Sequence, residues 1–223
     1  MNNVNLVGIS AFCGDLKDRT PEEAIVYMAR VSNPSNQNNF EDSSKLIKYL
    51  IQNKHWSPFE MVHIVMEINT TRDITRQILR HRSFSFQEFS QRYADPTQLE
   101  FAEREARLQD KKNRQNSIEL DINKHEEGYL QYIFERAQEN VSRVAEDNYK
   151  FMIDKGIAKE QARALLPEGL MMSRLYMAGS LRSWIHYCEL RMSNGTQKEH
   201  MEVAKQCWSI IEKEFPNVTR ALH

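Results

Sequence analysis

Arg80-His81-Arg82-Ser83-Phe84-Ser85-Phe86-Gln87-Glu88-Phe89-Ser90-Gln91-Arg92-Tyr93 sets three basic residues side by side, then serines, a glutamate and a fourth cation, with Phe84, Phe86 and Phe89 between them. No other window of the chain combines so many donors with so many flat apolar rings. Guanidiniums grip phosphate oxygens in two-pronged fashion, hydroxyls orient, and aromatic faces pack on heterocycles. The bland reading is a solvated loop of Arg and Ser. Against it, three packed cations repel one another without an anion, and the interleaved aromatics imply partial burial. Burying unpaired charge is costly, so a bound anion is the expected partner.

Upstream of this loop, Val4 to Ile9 reads as a first strand. Thr20-Pro21-Glu22-Glu23 starts a helix, with Thr20 as cap, Pro21 at the first helical position and Glu23 completing a capping box. Ser32 to Asn39 is a loop, and a second helix covers about 42–53, with Leu46, Ile47, Leu50 and Ile51 at core spacing. His55-Trp56-Ser57-Pro58-Phe59-Glu60 breaks that helix and leads into a strand. There Val62, Ile64, Met66 and Ile68 face one way and His63, Val65 and Glu67 the other. Thr70 or Thr71 caps a helix running to about Arg80, along which Arg72, Arg76 and Arg80 form a line of guanidiniums.

Downstream, 94–117 is dense in polar residues and reads as a solvated helix or a mobile excursion. A long helix covers about 122–155, and Leu130, Ile133, Phe134, Ala137, Val141, Val144, Ala145 and Met152 trace its buried stripe. A short helix over 159–166 ends at Pro167. The stretch 170–177 suits strand or helix. Gly179-Ser180 then punctuates, and Ser180 caps a helix to about Arg191 that carries Arg182 and His186 on one face. Asn194-Gly195 turns the chain into a last helix over about 197–215. Helices dominate, and the few strands do not alternate regularly with them, so the fold class is α+β in one domain, 1–223.

At 223 residues and net charge −1 the chain has no bulk attraction for nucleic acid. Its three cysteines, Cys13, Cys188 and Cys207, have no paired spacing, and no two histidines have zinc-ligand spacing, so neither a disulfide framework nor a metal site is expected. The N-terminus lacks the basic start and apolar run of a signal peptide, and no apolar run reaches membrane-spanning length, so no membrane partner is expected; the unpaired cysteine spacing points to a reducing cytoplasm. Rossmann and P-loop glycine patterns and the nucleophile elbow are all missing. His125 and His200 read as solvated on polar helix faces, and Cys188 as a small core residue. An alternative use of the basic, aromatic stretch is single-stranded RNA binding, against which the net charge and Glu88 both count.

Arg80-His81-Arg82, then seven residues, then Ser90-x-Arg92 resembles the signature of the flavin-dependent thymidylate synthases (the ThyX family). His55-x-Ser57-Pro58-Phe59-Glu60 upstream, Ala162-Arg163-x-x-Leu166-Pro167, and Ser180-Leu181-Arg182-Ser183 leading to Leu190-Arg191 downstream resemble further family segments, in the family's order. The resemblance implies a twisted antiparallel sheet surrounded by helices, and a homotetramer whose active sites are shared between subunits. It implies conversion of dUMP to dTMP for de novo dTMP synthesis, with methylenetetrahydrofolate as carbon donor and FAD, reduced by NADPH, as cofactor. By the same resemblance, Arg80, His81, Arg82 and Glu88 contact FAD, with Ser57, Ser180, Leu181, Arg182 and His186. Gln77, Arg80, Glu88, Ser90, Gln91, Arg92 and Arg163 hold dUMP, and His55 lies near the flavin on the folate side. Arg191 meets the pyrimidine as the catalytic cation, and no cysteine nucleophile is needed. Ser180 and His186 stand where many members carry Asn, and Gly195 where some carry His.

Overall fold

The computed structural model describes residues 2–95 and 100–223. Its centre is β2 (His63–Thr71), with β1 (Asn3–Ile9) on one side and β6 (Met172–Ser180) on the other, and the short strand β3 (Ser85–Glu88) beyond β6. All three pairings are antiparallel. β2 and β6 stay in register from His63 opposite Ser180 to Thr71 opposite Met172. The alternation seen in β2 extends across the pair: Ile64, Met66, Ile68, Leu175 and Met177 are buried on one face. The helices α1 (Pro21–Ala29), α2 (Ser43–Gln52), α6 (Leu181–Arg191), α7 (Lys198–Glu214) and α8 (Pro216–Leu222) contribute residues to that core. Each large apolar side chain buried there contributes about 1.5–3 kcal/mol. The capping box at Thr20 forms, with Glu23 N–H donating to Thr20 Oγ1 at 3.2 Å.

Two junctions position the site. β2 runs into α3 (Arg72–Ile78) without a loop, and β6 runs into α6 in the same way. The residues at the bends, Thr71 (φ −71°, ψ 154°) and Ser180 (φ −68°, ψ 155°), share one extended conformation. Ser180 Oγ accepts from Ser183 N–H at 3.3 Å, as expected of a cap. Thr71 instead turns its hydroxyl to Asp73 at 2.6 Å. Because β2 and β6 are antiparallel, the two junctions lie at opposite ends of the pair, and α3 and α6 bring their C-terminal ends together.

Several expectations are corrected. The basic, aromatic stretch is not all loop: its middle forms β3, an edge strand too short and too poor in β-branched residues to announce itself. The stretch 170–177 resolves as strand, and it runs on through Gly179 to Ser180. Gly179 is there for close packing, since a Cβ would lie 2.4 Å from Cδ1 of the Phe84 ring. The segment 94–117 is no helix in its described residues. Phe101 bridges to Met171, and Arg107–Gln109 (β4) pairs with Ser117–Glu119 (β5). Residues 96–99 of that segment lie outside the described residues. α8 was not expected.

The long helix α4 (His125–Asp154) forms, but its apolar stripe is not buried within the chain. Leu130, Ile133, Phe134, Val141 and Val144 are 38–46% exposed, and of the expected stripe only Ala145 is buried. Lys159–Ala162 forms α5, extended by one tight turn over Arg163–Leu165.

Candidate active site

Arg191, at the last turn of α6, donates from Nε to Nε2 of His81, just past α3, at 2.9 Å. With that nitrogen accepting, the neutral ring carries its proton on Nδ1. Burial, then the charges of Arg191 and Arg80, push the His81 pKa down to about 4. The imidazole is therefore a neutral acceptor for Arg191 and a donor on its other side. Tyr187 packs edge-on against it, ring centres 4.9 Å apart. Among the described residues the Nη groups of Arg191 and the guanidiniums of Arg80 and Arg82 make no side-chain hydrogen bond or ion pair. These cations are the anion-seeking part of the stretch.

Gln77 sits one turn before Arg80. Its Oε1 lies 3.2 Å from Nδ1 of His200, and its Nε2 donates to Gln197 Oε1 at 2.8 Å. His200 is not solvated as its polar neighbours suggested but fully buried, with Nε2 3.1 Å from the Tyr187 hydroxyl. Gln197 Nε2 in turn donates to Glu199 Oε2 at 2.9 Å. Glu199 is paired with Arg104 at 3.3 Å and with Arg107, both from the polar segment.

The rest of the expected set is spread toward the two ends of the sheet. At the β6 start, Glu88 lies 3.4 Å from the buried Arg72, 3.5 Å from Arg76, and accepts from Ser173 Oγ at 3.1 Å. The line of guanidiniums is thus partly a buried ion-pair cluster, completed by Glu168. Just beyond β3, Gln91 is buried with Nε2 lacking a partner, and Ser90 Oγ accepts from Arg92 N–H at 3.4 Å. Arg92 reaches Glu160 at 3.4 Å, and Arg163 Nε donates to the Glu160 carbonyl at 3.3 Å. The expected nucleotide residues Ser90, Gln91, Arg92 and Arg163 therefore gather here.

At the β6 end, a cavity of about 450 Å³ is lined by Glu60, His63, Ser83, Ser85, Gly179, Ser180 and Arg182, among others. Arg182 pairs with Glu60 across it. Leu181 is fully buried, and its N–H donates to the Val62 carbonyl at 2.8 Å. His186 packs edge-on against Trp56, beside the tight turn that begins at Ser57, and His55 packs edge-on against Tyr49. At ~3.4 Å per residue, Ser173 and Ser180 are about 24 Å apart along β6. One chain so places Ser57, Ser180, Arg182 and His186 toward one end of β6 and Glu88, Ser90, Gln91, Arg92 and Arg163 toward the other, with Arg80, His81 and Arg191 set by the convergence of α3 and α6.

The donor set fits anionic ligands. Two unpaired guanidiniums, a buried amide nitrogen without a partner and a hydroxyl-lined cavity are what phosphates and a polar ring system need. Cys188 and Cys207 are fully buried, and burial pushes both thiols up, which leaves them poor nucleophiles. Sequence reasoning gave no place in the site to Arg72, Tyr187 or His200. His200 had a signal: it is in helical phase with Val203, Ala204, Cys207 and Ile211, the buried face of α7.

Residues 15–217 match the family model described as "Thymidylate synthase complementing protein". The chain is 48% identical over 203 residues to the "Probable flavin-dependent thymidylate synthase" of Paramecium bursaria Chlorella virus 1, covering 91% of each chain. It is 48% identical over 203 residues to the flavin-dependent thymidylate synthase of Synechocystis sp., covering 91% of this chain and 90% of that one. Its fold is similar to that of the UMP/dUMP methylase PolB from Streptomyces cacaoi bound with 5-Br dUMP. The TM-score is 0.81 at 26% identity, over 99% of this chain and 94% of that one.

Proposed function

Since the chain belongs to the flavin-dependent thymidylate synthase family, we propose that it methylates dUMP to dTMP. In this reading it takes the carbon from methylenetetrahydrofolate, uses FAD reduced by NADPH, and serves de novo dTMP synthesis in the cytoplasm. The contact of Arg191 with His81 carries the reading. It fixes a guanidinium on the residue that follows the unpaired Arg80 and, among the described residues, leaves both Nη groups to meet a ligand. A fixed cation against a pyrimidine stabilises the ring ionised at N3 and enriches C5, the carbon that attacks. Arg92 and Arg163, with Ser90 and Gln91, hold the phosphate end of dUMP. Arg80, Arg82, Ser180 and Arg182 hold FAD, with Ser57 and His186 beside them, and His55 on the folate side. The flavin supplies the reducing electrons. No cysteine takes part, in keeping with the inert setting of Cys188 and Cys207.

Each site is assembled from more than one subunit of a homotetramer. Three observations support this. Predicted site residues lie toward opposite ends of a strand about 24 Å apart. The apolar stripe of α4 is open, together with Leu108 and Ile118 of the β4–β5 hairpin. The accessible surface, 13377 Å², exceeds the roughly 10,600 Å² expected of a compact monomer of this length.

The test is an assay of dTMP formation from dUMP with methylenetetrahydrofolate, NADPH and added FAD. Turnover that needs all four components supports the proposal, and an inactive protein under those conditions overturns it.

A further inference from the structure

Tyr187, His200, Gln77, Gln197 and Glu199 form one hydrogen-bonded line that ends on a carboxylate held by two arginines. Its geometry admits one consistent arrangement of protons. Tyr187 O–H donates to His200 Nε2, His200 Nδ1–H to Gln77 Oε1, Gln77 Nε2–H to Gln197 Oε1, and Gln197 Nε2–H to Glu199. We infer that His200 is a positioning residue: it fixes the orientation of the Gln77 amide, so that the carboxamide presents its remaining N–H to the bound nucleotide. The inference rests on the reading above, in which Gln77 contacts dUMP.

The physical case is one of donors and acceptors. A flipped Gln77 amide would set its NH2 against the His200 N–H and its oxygen against the Gln197 oxygen, two repulsive contacts in place of two bonds. Such lines polarise cooperatively, and within a buried setting a broken link is costly. His200 keeps the needed tautomer because it is neutral: burial, then the charges of Arg191 and His81, drive its pKa down to about 3. The remaining Gln77 N–H suits an acceptor on the ligand, such as a carbonyl or hydroxyl oxygen, and a free amide would offer oxygen half the time.

The test is a titration of dUMP into the FAD-loaded, full-length protein, read from the flavin spectrum, with kcat measured at saturating dUMP. His200→Leu removes the donor to Gln77 and should weaken dUMP binding about five- to ten-fold, with flavin content retained and kcat far less affected than KM. His200→Asn keeps an N–H near the Nδ1 position and should restore most of the affinity. Should His200→Leu not fold, Gln197→Leu frees the other side of the amide and should weaken dUMP binding in the same way. Unchanged dUMP affinity in His200→Leu or Gln197→Leu overturns the inference, as does an equal loss in His200→Leu and His200→Asn. A wild-type protein that shows no dUMP-dependent shift overturns the functional reading itself, and this inference with it.

Discussion

Arg191 Nε and His81 Nε2, 110 residues apart in sequence, meet at 2.9 Å. The contact exists because two loopless strand–helix junctions, at Thr71 and Ser180, sit at opposite ends of an antiparallel pair. It divides the guanidinium, with Nε holding the imidazole and the Nη fork open. Arg191→Ala should therefore lower kcat by about 10²–10³-fold, the loss typical of removing one preorganised electrostatic donor. Flavin content should stay near the wild-type level. Single-turnover kinetics beside an absorbance spectrum separates the two effects.

The two buried imidazoles make stability depend on pH in a stated direction. Folding lowers the pKa of His81 to about 4 and of His200 to about 3, against an ordinary value of 6.5. Between those values the unfolded chain binds protons that the folded chain refuses, so stability rises with pH and is complete above 6.5. Carboxylates with lowered pKa, such as Glu23, act only at more acid pH. The melting temperature should fall as pH drops from 6.5 to 5, and His200→Asn should flatten that slope.

Gly179 faces the Phe84 ring, which Trp184 holds edge-on with ring centres 4.9 Å apart. Gly179→Ala should cost about 1–3 kcal/mol through overpacking and loosen β3. Gly8→Ala, with nothing within 4 Å of the added carbon, should cost far less. Thermal melts of the two variants, and of Gly179→Ala with Phe84→Leu, check the cause: the double variant should recover stability.

The open stripe of α4 should be covered by other copies of the chain. Ile133→Glu or Val141→Glu should lower the native mass seen by light scattering and remove activity together, while the secondary-structure content read by circular dichroism changes little. A wild-type protein that runs as a monomer would contradict this.

What was legible in the sequence follows from where each signal lives. β2 was plain because its alternation mirrors one buried face, and α1 because Thr20 and Glu23 cap it locally. β6 carries a comparable alternation in Ser173, Leu175, Met177 and Gly179, masked by its low β-branched content. The α4 periodicity was readable, but its exposure was not, because among the described residues nothing fully covers that stripe. The RHR stretch announced its cations, yet Glu88 belongs to a cluster with Arg72 and Ser173 that only the β3–β6 pairing creates. Glu199 meets Arg104 and Arg107 across more than 90 residues, a contact with no local trace.

The central claim, that this constellation binds flavin and dUMP together, is tested most directly by adding dUMP to the purified, flavin-loaded protein and recording the visible spectrum. A saturable shift of the flavin bands, lost in Arg92→Ala, is the expected result. A protein that stays colourless after incubation with FAD, or a flavin spectrum indifferent to dUMP, would contradict it.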